Sequence, residues 1–118
     1  MRARNFLAFT VLAGLCASSY ADAKQGSGFA VVDSSGALER GTATGASRSG
    51  TGTYAVEFSH SVKKCVFTAT TGSTSVGAPP NGYVTVAGEG EDPNGVFVAT
   101  FDPTGAPADL AFHLNVLC

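Results

Sequence analysis

A chain of 118 residues, of which 44% are apolar and 14% charged, is too short for two ordinary domains and too apolar to be disordered. Its formal net charge of −2 does not supply the basic surface that binding to nucleic-acid phosphates requires. These numbers leave one small folded domain, and they do not identify what that domain does.

Residues 1–23 have the three parts of a secretory signal peptide. Two arginines lie within the first four residues, an apolar run follows at residues 6–16, and Ala21 to Ala23 form a small-x-small cleavage site. The apolar run is shorter than the roughly 20 residues that a membrane-spanning helix needs. We therefore expect secretion or export to the periplasm, with cleavage after Ala23 or, as the second choice, after Ala21, and no membrane association afterwards.

The remaining chain is expected to have a flexible lead-in at residues 24–28 and one domain over residues 29–118. No segment of it has helical apolar spacing; short alternating runs are instead separated by Gly, Pro, Asn and Asp. The polar second run is typical of an edge strand, and the sixth is apolar on both faces and therefore central. About seven strands predict an all-β fold, a single antiparallel β-sandwich or jelly-roll-like domain. The runs cover residues 29–33, 37–49, 53–58, 64–70, 83–87, 96–101 and 110–118.

Removal of the leader would leave two cysteines, Cys65 and Cys118, in an oxidising destination, which favours a disulfide. Alternation places both on inward faces, which agrees with a bridge. The bridge would close a long loop and stabilise the fold by about 4 kcal/mol. Zinc is the alternative, because His60 and His113 each lie five residues before a cysteine. In a strand, however, an odd separation puts the two side chains on opposite faces, so zinc is disfavoured.

The connections of an antiparallel sandwich alternate between its two ends. One end is expected to collect residues 33–36, 60–64 and 89–95, and the other residues 49–52, 71–81 and 102–109. The second end has the longest loops and few charges, so we expect ligand contacts there. The candidate ligand-binding residues are Thr71, Ser73, Asn81, Tyr83 and Thr104.

No catalytic or metal-binding constellation follows from the sequence. Glu57, Ser59 and His60 are neighbours, but Glu57 and Ser59 share a strand face that His60 does not, so a triad is not expected. Residues 50–55 fit a relaxed glycine-rich dinucleotide pattern, yet they open a strand rather than a helix. The acidic residues at 89–94 lack the spacing of a calcium-binding loop. We expect no enzyme activity, no cofactor and no metal.

Five core segments of the sequence resemble a known kind of domain when they are taken together. They are GTGTYAVEF (50–58), CVFTAT (65–70), PPNGYVTV (79–86), NGVFVATFD (94–102) and GAPADLAFHLNVLC (105–118). Together they resemble a small bacterial secreted β-domain of unknown function, most specifically through the closing A-D-x-x-F-H-L-x-V-x-C run. The resemblance implies an all-β fold and the Cys65–Cys118 pair, and it carries over no functional residue. A looser similarity to trimeric jelly-roll head domains implies that the chain could form a trimer.

The function expected from these observations is an exported, non-catalytic β-sandwich module, structural or binding, with a protein or glycan at the cell surface as partner. A small secreted hydrolase is one alternative, although its nucleophile, base and acid do not converge. A secreted inhibitor or effector is another, for which residues 71–81 are the only long loop.

Overall fold

The computed structural model describes residues 26–118, which form eight β-strands and no helix. The all-β prediction is therefore confirmed, with one strand more than the seven expected. The predicted signal peptide lies outside the described residues. The strands are β1 (Gly28–Val32), β2 (Leu38–Gly41), β3 (Gly45–Gly50), β4 (Thr53–Glu57), β5 (Val66–Thr71), β6 (Tyr83–Gly88), β7 (Gly95–Phe101) and β8 (Phe112–Leu117).

The strands form two four-stranded antiparallel sheets that pack face to face. The first sheet has the order β2-β1-β8-β5 and the second the order β3-β4-β7-β6. β7 is buried on both faces over most of its length and occupies a central position of the second sheet, and β8, whose burial alternates, is central in the first.

The extra strand comes from the polar run at residues 37–49, which was predicted as one strand and is two. The chain leaves the first sheet after β2 and enters the second at β3. Thr42 donates its N–H to the carbonyl of Phe29 in one sheet, and Thr44 donates to the carbonyl of Glu57 in the other. Gly41 makes the crossing possible, because its φ is +136° and a Cβ there would lie 2.3 Å from a main-chain oxygen.

The core lies between the sheets and follows the predicted alternation. Tyr54, Val56 and Phe58 from the second sheet meet Phe112 and its inward neighbours on β8, and all are buried. The rings of Tyr54 and Phe112 lie edge to face with centroids 5.1 Å apart. This contact buries apolar area and also requires a defined angle between the two rings, so it helps to fix the position of one sheet on the other.

A disulfide joins Cys65 to Cys118, as predicted, across 53 positions of sequence. The zinc alternative is wrong, because the two sulfur atoms are bonded to each other. The two histidines bond main-chain oxygens instead: His60 Nε2 lies 2.7 Å from the Gly26 carbonyl and His113 Nε2 2.8 Å from the Ser73 carbonyl.

The two ends of the sandwich carry different connections. The loop end comprises residues 33–37, 51–52, 72–82 and 102–111, and the disulfide end comprises residues 42–44, 58–65 and 89–94. The expectation that residues 71–81 and 102–109 share an end is confirmed. The placement of residues 33–36 at the opposite end is wrong, because the unpredicted crossing at 42–44 adds one reversal.

Candidate functional site

A crevice of about 390 Å³ opens at the loop end, where the predicted ligand contacts were expected. Three segments that are far apart in sequence form its walls: the turn at 33–34, the loop at 73–80 and the segment at 109–111. Its lining combines two carboxylates and several hydroxyls with the apolar side chains of Pro79, Pro80 and Leu110. The lining is more polar than apolar, so the crevice departs from the mostly apolar composition of typical small-molecule sites.

The first carboxylate, Asp109, is held from three directions. Its Oδ1 accepts hydrogen bonds from the Gly52 amide at 2.7 Å and from Arg48 Nε at 3.0 Å, and the Tyr54 hydroxyl lies 3.5 Å away. The hydrogen bond from Arg48 and then that from Gly52 lower the pKa of Asp109 below its usual value. The crevice therefore has, at a fixed position on this wall, a carboxyl group whose ionised form is favoured.

The second carboxylate, Asp33, is fixed by its own turn. Its Oδ1 accepts the hydroxyl of Ser35 at 2.7 Å and the amides of Ser35 and Ala37, each at 2.9 Å. The bond from the Ser35 hydroxyl is the largest of the effects that lower the pKa of Asp33. Oδ2 of Asp33 takes no hydrogen bond from the residues that the structure describes, so it remains available to a ligand.

The same turn occurs a second time at this end. Asp102 accepts hydrogen bonds from the amides of Thr104 and Ala106, as Asp33 does from Ser35 and Ala37. Both turns read Asp-x-Ser/Thr-Gly-Ala in the sequence, and the glycine of each has a positive φ, +94° at Gly36 and +89° at Gly105. Asp102 lies outside the crevice lining, so the pair offers one turn at the site and one matched copy away from it.

The five predicted ligand-binding residues do not come together. Ser73 lines the crevice. Thr71 is half-buried and paired with Phe112, and Asn81 is exposed outside the lining. The Tyr83 hydroxyl donates to the carbonyl of Pro103 at 3.3 Å, and the Thr104 hydroxyl donates to Asp102. Of the five, only Ser73 therefore lies in the lining of the crevice, and the expectation of ligand contacts at this end stays a prediction.

Sequence reasoning missed Asp33 and Asp109 as residues of the site. The partners of Asp109, Arg48 and Gly52, lie 61 and 57 positions away, and no local pattern reveals such contacts. Asp33 does have a local signal, the Asp-x-Ser-Gly turn, but the missed crossing at 42–44 assigned that turn to the wrong end.

A second hollow, of about 350 Å³, lies on the outward face of the first sheet. Its floor is β8, and its sides include Phe29 on β1 and Thr68 on β5. The loop at 72–74 separates this hollow from the crevice, because His113 bonds the carbonyl of Ser73 and Arg40 donates to that of Thr74 at 2.7 Å. The same two contacts anchor one wall of the crevice to the sheet.

Acidic side chains gather at the disulfide end, where Glu57 joins the loop at 89–94. A Cβ at position 95 would lie 2.8 Å from Glu57 Oε2 and 3.0 Å from Asp92 Oδ2, so both carboxyl groups lie against the main chain at Gly95. Their mutual hydrogen bond, burial and the charges of Asp92 and Glu89 raise the pKa of Glu57 to about 7. Among residues 26–118, no group of three or more His, Cys, Asp or Glu side chains could hold a metal ion.

The neighbouring residues Glu57, Ser59 and His60 do not assemble as a triad. Ser59 Oγ lies 3.4 Å from His60 Nδ1, and the other ring nitrogen bonds the Gly26 carbonyl. Among the described residues, the Glu57 carboxyl makes no hydrogen bond to the imidazole and lies instead beside the Asp92 carboxyl at Gly95. An acid–base–nucleophile relay needs the acid on the base, and here the acid has another partner.

No family model matches this chain, and neither the curated proteins nor the solved structures include a match. Within residues 26–118, no helix has the length and apolar character needed to cross a membrane. The assignment of a function therefore rests on the geometry of the loop end.

Proposed function

We propose that this chain is an exported, non-catalytic β-sandwich module that binds a glycan at the cell surface through the crevice at the loop end. The observation that carries the proposal is the pair of fixed carboxylates, Asp33 and Asp109, in one crevice with hydroxyl groups and proline rings. Ionised carboxylates only accept hydrogen bonds, and sugar hydroxyl groups are donors that satisfy them. The apolar side chains offer a surface to the C–H face of a sugar ring.

Preorganisation supports binding rather than a structural role for this end. Each carboxylate is already held by at least three donors or neighbours, and the loop at 72–74 is anchored by Arg40 and His113. A ligand that enters therefore meets groups that lose little conformational freedom on binding. Loops carried by a rigid sheet are the usual location of binding residues.

The disulfide and the leader support export. The Cys65–Cys118 bridge is of the kind that persists outside the reducing cytosol. The signal-peptide pattern at residues 1–23 and the resemblance to a bacterial secreted β-domain point to the same compartments, the periplasm or the extracellular space.

An inhibitor or effector is the second candidate, and one residue favours it. Val76 lies on the anchored loop at 72–82 and is 98% exposed. A rigid loop that presents an apolar side chain could enter the pocket of a partner protein. Replacement of Val76 by Asp would abolish that interaction and leave glycan binding by the crevice unchanged.

A glycan array probed with the exported protein tests the proposal, and two matched substitutions test the site. Asp33→Asn keeps the Oδ1 that the turn needs and removes the free carboxylate oxygen, so it should weaken binding about tenfold or more. Asp102→Asn makes the same change in the matching turn at residues 102–106, which lies outside the crevice, and should leave the affinity for the glycan unchanged. Absence of glycan binding, or an equal loss in both variants, would overturn the proposal.

A further inference from the structure

The edge strands on the two long sides of the sandwich differ in how well they are protected against pairing with other strands. One side is formed by the edge strands β2 and β3, and the other by β5 and β6. An edge strand presents a row of unpaired main-chain N–H and C=O groups that can pair with another chain. Natural proteins therefore protect such edges with charged residues, short strands and bulges.

The side formed by β2 and β3 has all three protections. β2 is four residues long and includes Glu39 and Arg40, and β3 includes Arg48. The pairing of each with its neighbour is irregular, between Val31 and Val32 on β1 and between Arg48 and Gly50 on β3. The chain also crosses from sheet to sheet on this side at residues 42–44.

The side formed by β5 and β6 has none of them. The two strands read VFTATT and YVTVAG, six residues each, with no charged residue and no proline. Both pair with their inner neighbours in regular register over their whole length. Long, uncharged, regular edges of β-branched and aromatic residues are those that pair with further strands.

Apolar exposure is concentrated on this same side. Six large apolar side chains are exposed among residues 26–118: Val66 lies on β5, Tyr83 on β6 and Val76 on the loop between them, and Leu117 is the cross-strand neighbour of Val66. The inward residues of the two edges are only half-buried, whereas the centre of the core is fully buried. These half-buried residues are Phe67, Ala69, Val84 and Val86.

The directions of β5 and β6 allow a second copy of the chain to pair with both edges at once. β5 leads from the disulfide end to the loop end, and β6 leads back. A two-fold axis parallel to the strands therefore sets β5 of one copy antiparallel to β6 of its partner, and it does so in both sheets at once. A foreign peptide strand would cover one edge, whereas a second copy covers both.

We propose that β5 and β6 form a self-association surface through which two copies of this chain join their sheets edge to edge. Each four-stranded sheet then continues into the other sheet of the partner. The loop-end crevices of the two copies stay open at the same end of the dimer, because the axis runs along the strands. The proposal does not depend on the nature of the ligand.

Sedimentation velocity of the exported protein over a range of concentrations tests the proposal. The native protein should form a dimer. Thr68→Lys on β5 and Thr85→Lys on β6 place a charge at an exposed mid-strand position of each edge, and each should weaken dimerisation at least tenfold. Ser47→Lys places the same charge at an exposed position of β3 and should leave the dimer unchanged. Far-UV circular dichroism and thermal midpoints establish that every variant folds.

A mixing experiment tests the pairing of β5 with β6. Chains with Thr68→Lys and chains with Thr85→Glu should each self-associate weakly, and their mixture should recover a dimer, because β5 of one chain and β6 of the other then carry opposite charges. A native protein that stays monomeric, a trimer, or a dimer insensitive to Thr68→Lys and Thr85→Lys would each overturn the proposal. So would a dimer lost equally through Ser47→Lys.

Discussion

A rise in pH from about 5 to about 8 should lower the free energy of unfolding, and Glu57→Gln should remove most of that loss. Glu57 is hydrogen-bonded to Asp92, and a bond between two carboxyl groups needs one proton. The bond to Asp92 is the main reason that the pKa of Glu57 rises from its usual 4.5 to about 7. The folded state thus binds this proton more tightly than the unfolded state. The stabilisation is complete below about pH 4.5 and is lost as the pH rises through about 7.

The size of this loss of stability follows from the usual and the raised pKa of Glu57. The difference between 4.5 and about 7 would correspond to about 3 kcal/mol if it were fully expressed. Glu57 is partly exposed, and solvent screening reduces the effect, so we expect about 1 kcal/mol. Gln has the size of Glu and can donate its amide to Asp92 at every pH. Glu57→Gln should therefore match the native protein near pH 5 and exceed its stability by about 1 kcal/mol near pH 8.

Urea unfolding across this pH range measures the effect directly, from the midpoint at constant slope. Glu91→Gln is the matched control, because Glu91 is an exposed carboxylate of the same loop and the change removes the same charge. The control should keep the native pH dependence. If the Glu57 variant lost as much stability as the native protein between pH 5 and 8, or if both variants flattened the profile equally, the Glu57 carboxyl would not be the source of the pH dependence.

Three further predictions concern the bridge, the core and the leader. Replacing Cys65 and Cys118 together by Ser should cost about 4 kcal/mol in chemical unfolding, because the bridge spans 53 positions; an unchanged midpoint would contradict this. Tyr54→Phe should cost about 1 kcal/mol, because it removes the hydrogen bond that the Tyr54 hydroxyl donates to the Ser34 carbonyl; an unchanged unfolding midpoint would contradict this. Intact mass of the exported protein should begin at Lys24 or, as the second choice, at Asp22; a retained amino-terminal methionine would contradict export with cleavage.

Most of the fold was accessible from alternation alone, because the period of a half-buried strand is strict. Tyr54, Val56 and Phe58 face inward as predicted, and β7 is central as its two apolar faces indicate. The inward position of Cys65 agreed with its bridge to Cys118. The face on which each of these side chains lies can be inferred from the residues next to it in the sequence.

The crossing at 42–44 could not be predicted in the same way. The sequence Gly41-Thr-Ala-Thr44 contains neither Pro, Asn nor Asp, and its reversal depends on hydrogen bonds to two different sheets. That single omission also misplaced the turn at Asp33 and hid its part in the crevice. The contact of Glu57 with Asp92 was inaccessible for a related reason, since it requires the pairing of Glu57 with Gly95 across strands.

The most direct test of the account is an NMR titration of ¹⁵N-labelled exported protein with the glycan that binds best on the array. The account predicts amide shifts concentrated at residues 33–36, 73–80 and 109–111, the three walls of the crevice. Shifts concentrated instead on residues 68–70 and 113–115, in the hollow of the first sheet, would contradict it.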